Sequence, residues 1–299
     1  IPLATYRHNL DENGEKSDIA SLIERFSGFN LRNSVFIDCT ASAEVASHYG
    51  SLLSKYISVV TANKLACSSD YSYYCKLKSS AGEKNIRFMY ETTVGAGLPI
   101  IKTINDLVVS GDRIIKIEAV LSGTLNFIFN TISPDIPFSK AVRTAREKGI
   151  SEPDPRIDLA GTDVVRKILI LSREAGYPLE KNDVEVIGFL PAECFEGSID
   201  NFFTKIKEYD EEFEHKRQEL MKSNKKWRFY ATMELGKARV ELVEVDSSHP
   251  SYDLDGSNNI VLLTTERYRE LPMVIKGYGA GPEVTAAGVF ADLMRVVNV

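Results

Sequence analysis

The feature that most constrains the fold is a regular alternation of short apolar runs and helix-like stretches in the first third of the chain. The apolar runs at residues 35–39, 57–60 and 86–91 each have the length of one buried strand, and the stretches 43–56 and 69–81 between them have helical spacing. Parallel strands need a long crossover connection, which is usually a helix. The pattern therefore predicts a doubly wound parallel sheet, in which ligands lie beyond the carboxyl ends of the strands.

The pattern changes after about residue 110. We expect a strand at 114–121. We also expect a helix that is capped by Ser139 and ends at Gly149, and a further helix from about Asp158 to residue 175. Later β runs lack regular crossover helices and favour an antiparallel or mixed sheet; they lie at 227–233, 239–245, 260–264 and 273–276. We expect an α/β domain over residues 1–110, an α+β domain over 111–276, and a helix within 277–299 that returns to the first domain.

Composition narrows the class of function. The 299 residues carry a formal net charge of -6, which gives no basic surface for nucleic acid or for an anionic membrane. No apolar run reaches the roughly 18 residues of a membrane span, and the first residues do not have the pattern of a secretory leader. The four cysteines have no metal-ligand spacing, so buried reduced thiols are expected. These features predict a cytoplasmic protein with a small-molecule ligand.

The segment SEPDPRIDLAGTDVVRK, residues 151–167, concentrates charge where a loop becomes an apolar helix. Pro153 and Pro155 favour an extended connector, and Asp163 and Lys167 are four residues apart and share one helix face. On most helices such a pair is a solvated surface pair. Here the apolar neighbours indicate a partly buried Lys167, whose pKa desolvation can lower so that it acts as a general acid or base.

Two glycine turns precede helix-like stretches, at residues 94–99 and 277–285. Either turn lets a backbone approach a ligand closely, and the free N–H groups of the following helix can bind an anion. Either could equally be a tight turn with no ligand. Taken alone, neither turn decides the function.

Five ordered blocks resemble homoserine dehydrogenase, in particular the dehydrogenase portion of fused aspartokinase/homoserine dehydrogenases. The resemblance runs from about Val35 to the C-terminus, on residues 61–64 (TANK), 91–99 (ETTVGAGLP), 121–126 (LSGTLN), 151–167 and 277–288. It implies NAD(P)-dependent interconversion of L-homoserine and L-aspartate 4-semialdehyde, within threonine and methionine biosynthesis. The first domain would then be a Rossmann-type nucleotide-binding domain, and the second would bind substrate, carry catalytic residues and form a homodimer through its sheet.

The resemblance also implies residue roles. Lys167 looks like the catalytic lysine, held by Asp163, and Lys64 looks like a second lysine near the nicotinamide; either lysine could carry the proton, and the motif position favours Lys167. The substrate-binding residues would be Glu152, Asp158, Asp163 and Thr124, with Glu152 and Asp158 facing the substrate ammonium. NADP or NAD would contact Thr40, Thr61, Asn63, Lys64 and Gly281.

A monovalent cation, sodium or potassium, is also implied by the resemblance. Its ligands would be mainly the backbone oxygens of Glu91, Val94, Ala96 and Leu98. Carbonyl and carboxylate oxygens suit hard cations. The cation would brace the loop beside the nicotinamide, and an aspartokinase fused to the dehydrogenase is the expected neighbour in a full-length protein.

The chain departs from this family before Val35, where no glycine-rich GxGxxG loop occurs. Residues 1–34 predict only a polar turn at 11–16 and a helix over 17–26 that ends at Gly28, so we expect a truncated first βαβ unit. Ile150 and Ile157 stand where relatives often carry Tyr and Asp. The alternative function is a non-catalytic substrate-binding and dimerisation fragment with impaired cofactor binding.

Two other chemistries have weaker support. The four histidines fall outside all five blocks, so a histidine-based dehydrogenase or hydrolase has no obvious base. Cys194 could suggest thiohemiacetal chemistry, but no nearby motif supplies a group that would activate the thiol. Both remain less favoured than a lysine-based dehydrogenase.

Overall fold

A three-stranded parallel sheet organises the first part of the chain. The computed structural model describes residues 2–16, 18–29 and 31–297. Outside these ranges lie residue 17, where one predicted helix starts, and the last two residues of the predicted 277–299 segment. The strands are adjacent in chain order and all parallel: β1 (Val35–Asp38), β2 (Ser58–Thr61) and β3 (Phe88–Met89). The helices of this part are α1 (Tyr6–Asn13), α2 (Ile19–Gly28), α3 (Ala43–Ser47), α4 (Tyr49–Ser54), α5 (Tyr71–Glu83) and α6 (Ile100–Val109), with a 3-10 turn at Glu91–Thr93.

A six-stranded mixed sheet organises the second part. Its strands are β4 (Ile114–Val120), β5 (Val184–Val186), β6 (Lys225–Glu234), β7 (Lys237–Asp246), β8 (Asn259–Thr265) and β9 (Met273–Gly277), in the spatial order β5-β7-β6-β4-β8-β9. All neighbouring pairs are antiparallel except β5 with β7. The helices are α7 (Gly123–Thr131), α8 (Phe138–Glu147), α9 (Arg156–Leu159), α10 (Thr162–Glu174), α11 (Ile199–Ile206), α12 (Asp210–Lys222) and α13 (Pro282–Val297), with 3-10 turns at Lys181–Asp183, Ala192–Phe195 and Lys207–Tyr209.

The predicted fold class, a parallel-sheet domain followed by a mixed α+β domain, is therefore confirmed. Before β1 the structure has α1 and α2 and no strand within the described residues of that segment. The predicted polar turn at 11–16 is wrong in part, because α1 extends to Asn13. The short strand β5, which pairs in parallel with β7, was not predicted, since three residues carry too little periodicity to be recognised.

Three predicted helix boundaries are wrong. Ser139 does not cap α8, which begins at Phe138 after Pro137; its N–H and Oγ instead donate to the carboxylate of Asp210, at 2.7 and 2.6 Å. The expected helix from Asp158 to 175 is two helices, because Gly161 between them has a left-handed φ of 69°. The stretch 43–56 is likewise two helices, which meet at His48.

Helix α10 lies between the two domains and contacts both. Its apolar face, which includes Val164, Ile168 and Leu171, is buried and packs on β6 and β7, while the helix also contacts α6. Burying such side chains contributes about 1.5–3 kcal/mol each. The helix is therefore a main element of the hydrophobic core, and its first turns carry Asp163 and Lys167.

The last turn of α10 carries a buried carboxylate that joins the domains. Glu174, whose side chain is fully buried, accepts hydrogen bonds from the hydroxyls of Tyr74 on α5 and Tyr90 after β3. It also accepts from the amide of Asn105 at 2.6 Å and pairs with Lys78 at 3.1 Å. Burial raises the pKa of Tyr74 and of Tyr90, so both hydroxyls stay protonated and donate. A single carboxylate thus connects α10 to three elements of the first domain.

We predict that Glu174→Ala lowers the free energy of unfolding by about 3–5 kcal/mol, because it leaves two buried hydroxyls and a lysine without their acceptor. Urea denaturation measures the change. The matched control is Glu212→Ala on α12, which breaks only an exposed pair with Lys216 and should cost within about 0.5 kcal/mol. Equal losses in the two variants would contradict the role given to Glu174.

Candidate functional site

One large cavity of about 1080 Å³ opens at the carboxyl ends of β1, β2 and β3. Thr40 follows β1, Asn63 and Lys64 follow β2, and Thr92 lies just after β3, and all four line the cavity. The second domain closes the cavity from the other side with the amino ends of α7 and α10. This is the place at which a parallel sheet is expected to bind its ligand.

The cavity collects most of the residues that the sequence singled out. The predicted site residues that line it are Thr40, Asn63, Lys64, Ala96, Thr124, Glu152, Asp158, Asp163, Lys167 and Gly281. The other predicted site residues do not line it: these are Thr61, Glu91, Val94 and Leu98. Cys194 and the four histidines are not among the lining residues.

Two lysines share the carboxylate of Asp163. The Nζ of Lys167 lies 2.7 Å from one oxygen of Asp163, and the Nζ of Lys64 lies 3.6 Å from the other. Lys167 also donates to the carbonyl of Leu121 at 2.7 Å, and its side chain is only 11% exposed. The pair on α10 is therefore a partly buried one, and two of the three N–H groups of Lys167 are already used.

The charges in this cluster shift one another's protonation. Burial lowers the pKa of Lys64; Asp163 opposes that shift, and the nearby Lys167 and Arg166 add to it. Burial alone would raise the pKa of Asp163, but the charges of Lys167 and Lys64 outweigh it and lower the pKa. Asp163 therefore stays ionised, while Lys64 loses its proton more easily than a solvated lysine.

A second group of residues gives the cavity an acidic side. Asp158 on α9 accepts a hydrogen bond from the backbone N–H of Glu152 at 2.8 Å, and burial raises its pKa although that bond opposes the shift. Thr124 donates to the carbonyl of Ile150 at 2.9 Å, which attaches the connector to α7. The cavity therefore has lysines on one side and carboxylates on another, an arrangement suited to a small zwitterion.

A buried polar network supports the strand ends beneath the cavity. Asp38, at the end of β1, accepts from the hydroxyl of Tyr49 at 2.5 Å and from the amide of Asn63 at 3.1 Å. Thr61 contacts the same hydroxyl at 2.7 Å and accepts from the backbone N–H of Asn63 at 2.8 Å. Thr61 therefore positions Asn63. Neither Asp38 nor Tyr49 is among the predicted site residues; the available signal in the sequence was an aspartate inside a buried strand.

The glycine turn before α13 forms another side of the cavity. Gly281 has a φ of 125°, which only glycine adopts readily, and a Cβ at Gly279 would overlap the side chain of Asn259. Asn259 is buried, and its amide lies 3.4 Å from the carbonyl of Leu121, the acceptor that Lys167 also uses. Its Oδ1 has no hydrogen-bond partner among the residues that the structure describes. Asn259, also missed in the sequence, therefore links the turn to Lys167.

The loop proposed to hold a cation is tightly folded against α6 and α13. The Glu91 carboxylate accepts from the backbone N–H groups of Ile101 and Lys102 at 2.7 and 2.9 Å, at the amino end of α6. Burial raises the pKa of Glu91, and the nearby carboxylate of Asp292 adds to the rise. The carbonyls of Val94 and Ala96 accept no hydrogen bond from the described residues. Two of the four predicted carbonyls are thus available to a ligand.

Several sequence predictions concern the whole chain. Of the four free cysteines, Cys67 and Cys194 are buried, but Cys39 is exposed, so the expectation of buried thiols holds only in part. Across residues 2–16, 18–29 and 31–297, no cluster of three or more His, Cys, Asp or Glu side chains could bind a metal ion. In the same ranges, no helix combines the length and apolar character needed to cross a membrane.

Two family models match the chain in succession. The model described as "Homoserine dehydrogenase, NAD binding domain" matches residues 6–91, and the model described as "Homoserine dehydrogenase" matches residues 99–294. The first match covers the three-stranded parallel sheet and Lys64, and the second covers the six-stranded sheet together with Asp163 and Lys167. The first match also begins well before Val35, at which the resemblance carried by the five sequence blocks begins.

Curated relatives include bifunctional and single-function proteins. A bifunctional aspartokinase/homoserine dehydrogenase 2 of Zea mays is 41% identical over 304 residues, which is 100% of this chain and 33% of the relative. The homoserine dehydrogenase of Schizosaccharomyces pombe is 37% identical over 307 residues, which is 100% of this chain and 81% of the relative. The chain thus spans about a third of the bifunctional relative.

Solved structures agree with this fold. A Candida auris protein of unknown function is 34% identical, with a TM-score of 0.92 over 100% of this chain and 85% of that one. A hyperthermophilic archaeal homoserine dehydrogenase mutant in complex with NADPH is 27% identical, with a TM-score of 0.69 over 88% of this chain and 71% of that one.

We predict that Gly279→Ala destabilises the chain by about 1–3 kcal/mol, because the added Cβ displaces the buried Asn259. Thermal or urea denaturation measures the loss. Gly82→Ala is the matched control, since a Cβ there meets no atom within 4 Å and replaces a glycine inside α5. That control should stabilise the chain by about 0.5–1 kcal/mol, and an equal gain in Gly279→Ala would show that the turn is not constrained.

Proposed function

The chain belongs to the homoserine dehydrogenase family, and on that premise we propose that it catalyses the NAD(P)-dependent interconversion of L-homoserine and L-aspartate 4-semialdehyde. The observation that carries the proposal is the Lys64–Asp163–Lys167 cluster in the cavity at the carboxyl ends of the parallel strands. The reaction belongs to threonine and methionine biosynthesis.

Lys167 moves the proton in this proposal. Its bonds to Asp163 and Leu121 leave one N–H for the oxygen of the substrate. In the oxidation of homoserine the neutral amine takes the hydroxyl proton; in the reverse reaction the ammonium returns a proton to the carbonyl oxygen. Asp163 orients the amine and stabilises its charged form, and Lys64 lies on the other oxygen of Asp163, close to the reacting oxygen.

The acidic side of the cavity binds the substrate ammonium. Glu152 and Asp158 supply the carboxylates, and Thr124 fixes the connector on which Glu152 lies. A small amino acid has little apolar surface, so charge-assisted hydrogen bonds must hold and orient it. Ile150 and Ile157 also line the cavity and give this side an apolar border.

The strand ends and the glycine turn fit the reacting end of a nicotinamide dinucleotide. At the strand ends lie Thr40, Asn63 and Lys64, with Thr61 beneath them. The turn that contains Gly281 lies on the opposite side of the cavity. Close packing at Gly279 and the left-handed Gly281 keep this turn free of side chains. When bound, the nicotinamide supplies or accepts the hydride. We propose NADP or NAD as the cofactor.

We also propose that sodium or potassium binds to the loop after β3. Its ligands are the backbone oxygens of Glu91, Val94, Ala96 and Leu98. The carbonyls of Val94 and Ala96, which accept no hydrogen bond from the described residues, and the buried carboxylates of Glu91 and Asp292 support a cation there. The cation has a structural role, to brace this loop.

The partners and compartment are proposed on the same premise. A homodimer that forms through the six-stranded sheet and a fusion to an aspartokinase in a longer protein are expected, the latter because relatives carry both names. Free cysteines suit a reducing compartment such as the cytoplasm. No nucleic acid or membrane partner is proposed.

Calorimetric titration with NADP and NAD, each with and without homoserine, followed by a turnover assay, tests the function. We expect binding and turnover, and we expect Lys167→Met to lower kcat about 100- to 10,000-fold with the fold intact. Lys216→Met, on the exposed face of α12, is the matched control and should leave turnover unchanged.

Two results would contradict these assignments. If Lys167→Met kept full turnover and Lys64→Met lost it, Lys64 and not Lys167 would be the residue that transfers the proton. A folded wild-type chain that binds neither cofactor would favour the alternative, a non-catalytic substrate-binding and dimerisation fragment.

The pH dependence of KM for homoserine tests the acidic side. Burial raises the pKa of Asp158, so as pH falls through this raised pKa the carboxylate becomes neutral while the substrate ammonium stays charged. As the pH is lowered, KM should therefore begin to rise at a higher pH than it would if Asp158 had the pKa of an ordinary aspartate. Asp158→Asn should have a high KM that lacks this dependence, whereas Asp154→Asn, which loses a pair with Arg156, should keep it. An Asp158→Asn variant whose KM rises toward acid pH in the same way as that of the wild type would contradict the assignment.

A further inference from the structure

Arg166 is a cavity residue to which none of the assignments above gives a role. It lies on α10 between Asp163 and Lys167 in sequence, and it lines the cavity with them. Its guanidinium forms no hydrogen bond or ion pair with the residues that the structure describes. By contrast, two nearby arginines form ion pairs with carboxylates: Arg156 pairs with Asp154 at 2.6 Å, and Arg173 pairs with Glu180 at 3.0 Å.

The positive charge around Arg166 exceeds the negative charge. When both lysines are protonated, Lys64, Arg166 and Lys167 are three cations, and Asp163, the carboxylate among them, is bonded to both lysines. The charge of Arg166 also reaches Lys64, whose pKa is lowered by burial first and by Arg166 among the smaller causes. An anion brought to Arg166 would therefore meet an uncompensated positive charge in a partly desolvated site.

The acidic residues of the cavity do not supply that anion. Neither Glu152 nor Asp158 forms an ion pair with Arg166, and Asp158 is hydrogen-bonded to the backbone of Glu152. The proposed substrate-binding residues other than Thr124 are carboxylates, which would attract the ammonium of an amino acid and repel its carboxylate. The carboxylate of the substrate is thus left without a charged partner, and so are the phosphates of a dinucleotide.

We propose that Arg166 binds an anionic group of a bound reactant, through the oxygens of a carboxylate or a phosphate. The planar guanidinium presents paired N–H donors that match two such oxygens. The two sources are the carboxylate of the amino-acid substrate and a phosphate of the cofactor, and the charges facing the substrate favour the first. The inference rests on the proposed function, because that function supplies both reactants.

Calorimetric titration of the wild-type chain and of Arg166→Gln separates the two sources without an activity readout. The probes are L-homoserine, 3-aminopropan-1-ol (which lacks the carboxylate), NADP and inorganic pyrophosphate. If Arg166 binds the substrate, Arg166→Gln should weaken homoserine binding on the order of 10- to 100-fold and leave the amino alcohol unchanged. If it binds the cofactor, the same loss should appear with NADP and pyrophosphate and not with homoserine.

Two further variants complete the test. Arg166→Lys keeps the charge without the planar fork and should recover part of the lost affinity. Arg113→Gln is the matched control, because Arg113 lies outside the cavity near Glu266, and it should bind all four probes as the wild type does. Unchanged affinity of a folded Arg166→Gln variant for homoserine, NADP and pyrophosphate would overturn the inference.

Failure of the proposed function gives a different result. A wild-type chain that binds homoserine and NADP without turnover would contradict the proposed function, while the comparison with Arg166→Gln would still decide what Arg166 binds. A wild-type chain that binds none of the four probes would overturn both proposals.

Discussion

The buried carboxylate of Glu174 determines how the two domains can meet. It lies at the end of α10, and its hydrogen bonds to Tyr74, Tyr90 and Asn105 join that helix to the first domain. A buried carboxylate is stable only when its oxygens are satisfied, so α10 has one well-defined position against α5 and α6. The first turns of the same helix carry Asp163 and Lys167, which therefore reach the strand ends where Lys64 lies.

The cavity that results is electrostatically uneven. Asp163 holds two lysines within 2.7 and 3.6 Å, while Asp158 lies on another side with a pKa raised by burial. Because the side chain of Lys167 is only 11% exposed, its interaction with Asp163 is stronger than the same pair would be in water. Opposite charges on different sides of one cavity orient a small zwitterion more strictly than apolar contacts would, since they act on separate groups of the ligand.

Glycine and backbone geometry control where the segments can approach one another. Gly161 lies between α9 and α10 and lets α10 start in a new direction, and a Cβ added there would lie only 3.1 Å from Phe229. Gly279 leaves room for the buried Asn259, which in turn contacts the carbonyl used by Lys167. These close approaches explain why the charged connector and the final glycine turn converge on one site although about 120 residues separate them.

The sequence by itself determined the strand and helix alternation, the apolar stripe of α10 and the motifs that carry Lys64, Asp163 and Lys167, because periodicity and side-chain type act locally. Only the tertiary structure decided that Thr61 lies under the cavity, that Ser139 bonds Asp210 rather than capping α8, and that Asn259 meets Gly279. It also decided which charges are compensated: Asp163 is shared by two lysines, and within the described part of the chain Arg166 has no carboxylate partner. Burial and partner choice depend on residues far apart in the chain, and no local pattern encodes them.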